Sequence, residues 1–187
     1  MENIKYELIR SRRRTVRIEI NEAGVPVLRV PLRTTLKQAQ ELIERNRGWI
    51  EKHMAIVKAR QEEAAKLPPL TPEDIRQLAD KALEYIPPRV KYYADILGVT
   101  YGRITIRNQK TKWGSCSVKG NLNFNCLLML TPPEVIDAII VHELCHRLEM
   151  NHSARFYAHV LRVYPEYRRW NKWLKEHGSE IMMRCHK

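Results

Sequence analysis

The stretch Val141-His142-Glu143-Leu144-Cys145-His146-Arg147-Leu148-Glu149-Met150-Asn151-His152 decides how this chain is read. It contains His-Glu-x-x-His and a further histidine at 152. Residues i and i+4 of a helix lie one turn apart along the axis and about 40° apart around it. The imidazoles of His142 and His146 can therefore reach one ion near the helix surface. Glu143 stands beside the first of them, within reach of a water at the ion's fourth position. Two ligands and a general base are the chemistry this spacing serves, and zinc (Zn2+) is the ion expected.

His152 is the candidate third ligand. On an unbroken helix it would lie roughly 9 Å beyond His146 and project from another side. The spacing predicts that the helix stops after Met150 and that the chain turns back. Asn151, which tolerates the left-handed conformation, is the expected pivot, and Ser153 the cap of the next helix. Upstream, the apolar run Val135-Ile136-Asp137-Ala138-Ile139-Ile140-Val141 packs the helix into a core. Thr131-Pro132-Pro133-Glu134 opens it in the Thr-x-x-Glu form of a capping box. Cys145, between the ligands, reads as a small inward-facing hydrophobe. The same five-residue pattern occurs in helices that bind nothing. The apolar run, the break and the third histidine favour a metal.

The whole chain has 187 residues, enough for one domain with an appendage and a sizeable core. No apolar run approaches the ~20 residues of a membrane span, and the first ten residues lack the apolar region of a signal peptide. These features predict a cytoplasmic chain. Cys116, Cys126, Cys145 and Cys185 form no C-x-x-C and read as free thiols. The net charge of +12 permits a nucleic-acid or acidic partner. Arg10, Arg12, Arg13 and Arg14 read first as charge protection of a strand edge, and second as a nucleic-acid surface.

The organisation expected is an N-terminal unit of strands and a helix over 1–66, then a catalytic domain over 70–187. Thr15–Ile20 alternates as a strand, 21–24 is turn-like, and Val25–Pro31 is a second strand, placed at an edge by Pro26. A helix runs from Leu36 towards Val57, weakened at Gly48. Lys66-Leu67-Pro68-Pro69 is the linker. Thr71 caps a helix that Pro87-Pro88 breaks or kinks and Gly98 ends. Arg103–Arg107 is a strand, and a turn at 118–121 leads to the strand Leu122–Leu127. Ala154–Val163 is helical. A last helix starts at Pro165 and stops before Gly178, with Tyr167, Trp170 and Leu174 on a core face and Arg168, Arg169, Lys172 and Lys175 mostly on another.

Three blocks resemble a known family. They are Thr111-Lys112-Trp113-Gly114-Ser115-Cys116-Ser117 with Gly120-Asn121-Leu122, then Val141–His146, then Asn151-His152-Ser153-x-x-Phe156. Pro165-x-Tyr167, Trp173-Leu174 and Trp49-Ile50 agree with them. Together they resemble the YgjP-like metallopeptidases, a zincin family related to the SprT and WLM groups, over nearly the whole chain. The resemblance implies an α+β, minimal gluzincin-like fold, with a small twisted sheet beside the His-Glu-x-x-His helix. It implies zinc on His142, His146 and His152, with Glu143 as base. Tyr157 stands where the family usually has Trp.

The function expected is a zinc metallopeptidase hydrolysing peptide bonds by Glu-assisted attack of zinc-bound water. Arg155, Tyr157 and His159 follow the third ligand and are candidate transition-state helpers. Leu122, Asn123, Phe124 and Asn125 are the candidate strand against which a peptide or protein substrate is added. Two rivals stand beside this reading. One is a nucleic-acid-associated protein with localised proteolysis or a structural zinc site. The other is an inactive zincin used as an interaction module.

Overall fold

Buried apolar side chains fall into two separate cores, and the chain divides with them into units Met1–Lys66 and Leu67–Lys187. The computed structural model describes residues 4–21 and 23–185. Among these, no helix is long and apolar enough to cross a membrane.

In the first unit β1 (Glu7–Ser11), β2 (Arg17–Ile20) and β3 (Pro26–Pro31) form a sheet in the order β1-β3-β2. β1 is parallel to β3, and β2 is antiparallel to it. Pro26 thus opens a central strand and not the expected edge strand. A proline is tolerated there because it is the first residue of the strand. The Asn21 side-chain oxygen accepts from the Ala23 and Val25 N–H groups, making the turn between β2 and β3. Glu22, part of the turn expected at 21–24, lies outside the described residues. Thr35 caps α1 (Leu36–Arg45) in a reciprocal box with Gln38. The helix expected to continue to Val57 is interrupted at Asn46, whose amide donates to the Leu42 carbonyl at 2.8 Å, and α2 (Arg47–Lys66) follows. Leu28, Val30, Ala39, Ile43 and Ile50 make this unit's core.

The second unit begins with α3 (Pro72–Leu97), held at its start by a Thr71–Asp74 capping box and ended by Gly98 in the left-handed conformation at φ 66°. Pro87 and Pro88 lie inside this helix without ending it. Two prolines remove two backbone donors. The buried stripe Leu78, Ala82, Ile86, Val90, Ala94 and Leu97 crosses that point unbroken, and its burial holds the helix together. β4 (Ile104–Arg107), β5 (Gly114–Cys116) and β6 (Leu122–Asn125) form a second sheet, ordered β4-β6-β5, and a 3-10 turn spans Cys126–Leu130.

α4 (Pro133–Cys145) is buried on every side from Val135 to Cys145 except at His142. It packs against α3, α5, α6, the 3-10 turn and β5. The expected capping box at its start does not form. The Thr131 hydroxyl donates to the Leu128 carbonyl of the preceding turn, and Pro132 occupies the cap position. α5 (Ala154–Val163) is capped by Ser153, whose hydroxyl accepts from the Phe156 N–H. α6 (Tyr167–Cys185) runs through Gly178 and does not stop before it. A side chain at 178 would put its first carbon 2.9 Å from the Trp113 ring, so this glycine marks close packing rather than a helix end.

One ion pair fastens α3 to α4. The Arg89 guanidinium donates to both oxygens of buried Asp137, and its Nε lies 2.9 Å from Oδ1. Removing the negative charge leaves a half-buried guanidinium without its counter-ion. Asp137→Asn is expected to cost about 2 kcal/mol, the buried-pair value discounted for the exposure of Arg89. The midpoint of urea unfolding, compared with wild type, measures it.

Candidate metal centre

The ligand-bearing helix is held rigidly because its other faces are dry. α4 ends at Cys145, one full turn before the expected stop at Met150. The chain then tightens. The Arg147 N–H donates to the Leu144 carbonyl, and the Leu148 N–H to that of Cys145. Asn151 is not a left-handed pivot, because no residue other than glycine has positive φ among the described residues. The Glu149 N–H also donates to the Cys145 carbonyl and the Ser153 N–H to that of Asn151, and the chain reverses without a left-handed residue.

The reversal brings His152 back over α4. One ligand nitrogen from each of His142, His146 and His152 lies within 4.8 Å of the others. The Nε2 atoms of His142 and His152 are 3.0 Å apart. Nitrogens at zinc-bond length around a tetrahedral ion are roughly 3.3 Å apart, so the His142–His152 pair already has nearly the spacing of two ligands on a small, borderline-soft cation. The outer nitrogens have partners of their own. His146 Nδ1 donates to the Glu149 carbonyl at 3.2 Å, which leaves its Nε2 as a free lone pair. His142 Nδ1 lies 2.8 Å from the Tyr167 hydroxyl. Phe156 sits under all three rings, with centroid distances of 4.9, 4.6 and 4.8 Å to His142, His146 and His152.

Burial also disfavours the charged form of two of the imidazoles, those of His142 and His146. It pushes the His142 pKa down to about 3, helped by the neighbouring His146 and His152. Burial lowers that of His146 too, with the Glu149 carbonyl opposing. Glu143 is 6% exposed, and burial pushes its carboxyl up to about 7, against the charge of Lys112 and a hydrogen bond from the Cys116 backbone. Its carboxylate fits because residue 114 is glycine. A first side-chain carbon there would come 2.8 Å from Glu143 Oε1. Around these groups lies a cavity of about 370 Å³, lined by Lys112, Gly114, Ser115, Cys116 and Met150 together with the three histidines and Glu143.

Several expected assignments change. Leu122–Asn125 is the central strand, paired on both sides with β4 and β5, so it offers no edge to a substrate. Leu122, Phe124 and Asn125 are buried, and only Asn123 is half-exposed. The strand that lines the cavity is β5, at the sheet's edge. Tyr157 stands beside His152, with ring centroids 6.3 Å apart. Arg155, Tyr157 and His159 are not among the residues lining the cavity. Tyr167, Phe156, Gly114 and Lys112 were not assigned roles from residue spacing. Tyr167 gave only a core-face signal, and Gly114 and Lys112 lay in the Trp-Gly-Ser-Cys block without a mark of their own.

Three imidazoles around one point, with a buried glutamate beside them on the same helix, define the class of metal-dependent hydrolases. The chain belongs to the YgjP-like family, whose metallopeptidase domain matches residues 71–177. It is accordingly a metallopeptidase. Two crystal structures of metallopeptidase zymogens are similar to it: Pyrococcus abyssi abylysin (23% identity, TM-score 0.44, 49% of this chain and 93% of that one) and Methanocaldococcus jannaschii jannalysin (25% identity, TM-score 0.44, 49% and 94%). No curated protein matches the chain.

The Tyr167 hydroxyl is the orienting partner of a ligand ring, a position whose loss weakens metal binding ~10–100-fold. Tyr167→Phe is expected to weaken metal affinity by about that factor while keeping the fold. Competition with a chromogenic chelator, beside circular dichroism, measures both.

Proposed function

We propose that this protein is a zinc peptidase in which His142 and His146 hold the ion through Nε2, His152 completes the site, and Glu143 is the general base. The convergence of the three imidazoles beside Glu143 carries the reading. Bound there, zinc supplies Lewis-acid polarisation of a carbonyl and acidification of a water. The rest falls to the chain. Glu143 takes a proton on its carboxylate from the attacking water and returns it to the leaving amine. The narrow space beside Gly114 keeps that carboxylate from swinging away. The free edge of β5 can pair with an extended peptide and bring the scissile bond past Glu143, with backbone hydrogen bonds supplying affinity that does not depend on sequence.

Metal analysis and peptide hydrolysis on the same samples test this. About one zinc per chain is expected, with hydrolysis lost on chelation and restored by added zinc. Glu143→Gln should keep the metal and lower kcat by at least ~100-fold. His152→Ala should lose most of the metal. Equal turnover by wild type and Glu143→Gln would remove the base role and favour a zincin used as an interaction module.

A second reading is favoured by the register of the first sheet. Ser11 lies opposite Pro31 and Arg17 opposite Arg29, so residues 12–16 cross the end of β3. That crossing gathers Arg12, Arg13 and Arg14 near Arg10, whose Nε donates to the Thr34 carbonyl. Arginine forks suit phosphate oxygens, and the cluster supports a nucleic-acid partner. If it serves one, replacing Arg12, Arg13 and Arg14 by Ser lowers DNA affinity and cuts the log K against log salt slope by about 0.9 per lost phosphate contact. Fluorescence anisotropy over a salt series reads both. An unchanged slope leaves the cluster as edge protection.

A further inference from the structure

The cavity has one cationic side chain in its wall. Lys112 lines it, is exposed, and is close enough for its charge to act on Glu143. Among the described residues no carboxylate forms a salt bridge with its ammonium. The other lining residues outside the histidines and Glu143 are Gly114, Ser115, Cys116 and Met150, all uncharged. Apart from Glu143, no acidic group in the wall competes with a substrate group for this cation.

The backbone that carries Lys112 is fixed. Asn125 is fully buried, and its amide nitrogen donates to the carbonyls of Gln109 and Lys112 at 2.8 and 2.9 Å. Its own N–H donates to the Trp113 carbonyl at 2.9 Å, and its side-chain oxygen accepts from the Leu127 N–H at 3.1 Å. One side chain therefore ties the 109–112 loop to the end of β6. Trp113 is held in turn against Gly178. A buried amide with its donors and acceptor engaged in this way makes a rigid mount. Lys112 also immediately precedes Trp113 and β5, the edge strand on which an extended peptide would lie. Side chains of a bound strand alternate in direction, so one next to the scissile bond can meet the ammonium.

We infer that Lys112 is a specificity-determining residue that selects substrates with a carboxylate next to the scissile bond. This rests on the peptidase reading of the same cavity. The carboxylate is an Asp or Glu side chain or the free C-terminus of the peptide. The ammonium donates hydrogen bonds to it directly, without moving the loop.

The test uses the full-length, zinc-loaded protein and an equimolar mixture of internally quenched decapeptides carrying Glu, Gln or Lys at each position flanking the cleaved bond. Each is made with a free and an amidated C-terminus. Wild type is expected to cleave the Glu peptide about fivefold faster than the Gln peptide, in kcat/KM, at one position. Lys112→Met should abolish the ratio, Lys112→Glu should turn it towards the Lys peptide, and Lys112→Arg should keep it. A preference present only with a free C-terminus identifies the chain end as the carboxylate. One that survives amidation identifies a side chain. A wild-type ratio near one, or a ratio unmoved in Lys112→Met and Lys112→Glu, overturns the proposal.

Binding separates this from failure of the peptidase reading. Anisotropy of the dye-labelled Glu and Gln peptides on metal-free wild type and on Glu143→Gln should show a similar discrimination, lost in the corresponding Lys112→Met proteins. Discrimination without hydrolysis would sink the peptidase reading and leave the carboxylate site standing. Equal binding of the two peptides in all of these proteins overturns the site whatever the hydrolysis shows.

Discussion

The metal centre depends on a helix that has almost no polar face. From Val135 to Cys145, α4 is closed off on all sides except at His142. A helix of this kind cannot sit at a surface, so α3, α5, α6, the 3-10 turn and β5 must surround it. Its buried residues interlock at close-packed density, which leaves the two imidazoles little freedom to drift. Among the described residues, the charged partner of buried Asp137 is Arg89. Rigidity of the ligands is thus obtained from dispersion and burial, not from polar contacts in the site itself.

The third imidazole and the outer partners of the rings come from the segments that close this shell. Phe156 follows the Ser153 cap by three residues and so must face α4, where it supports all three imidazoles. Tyr167 stands at the first position of α6 and directs its hydroxyl at His142. The Glu149 carbonyl, freed by the early end of α4, takes the Nδ1 proton of His146. The Glu149 carbonyl can only accept and so favours the tautomer of His146 protonated at Nδ1, while the Tyr167 hydroxyl steadies the ring plane of His142.

What the sequence made legible was the part governed by local chemistry. The Ser153 cap, the helix Ala154–Val163, the Thr71 start and the Gly98 end all follow from neighbours within a few residues, and they stand in the structure as read. The misreadings share a different cause. Pro87-Pro88 looked like a break because the cost of lost donors is local, while the burial that offsets it comes from other helices. Gly178 looked like a helix end because nothing nearby in sequence reveals the Trp113 ring lying against it. Leu122–Asn125 alternates as any half-exposed strand would, and only pairing with both β4 and β5 makes it central. Asn125 is the sharpest case. It reads as part of a substrate-binding strand, yet its partners lie at Gln109 and Lys112, more than ten positions away.

Two glycines explain how the wall opposite the base is kept in place. Gly114 lets Glu143 pass so closely that any side chain there would meet the carboxylate. Gly120, at φ 81° in the turn between β5 and β6, leaves room for Arg147, the residue after the second ligand. Arg147 fills that room and donates to the carbonyls of Thr100 and Val118 at 2.9 and 3.1 Å. The hairpin is therefore fastened to the ligand segment at both of its ends, through Glu143 at one and Arg147 at the other. Asn125 adds a third tie, to the loop leading into β5. A strand pinned in this way keeps its open edge at a constant distance from Glu143. Under the proposed mechanism a misplacement of about 1 Å can cost two orders of magnitude in rate, and there the sheet would matter through the position of this edge rather than through a catalytic side chain of its own.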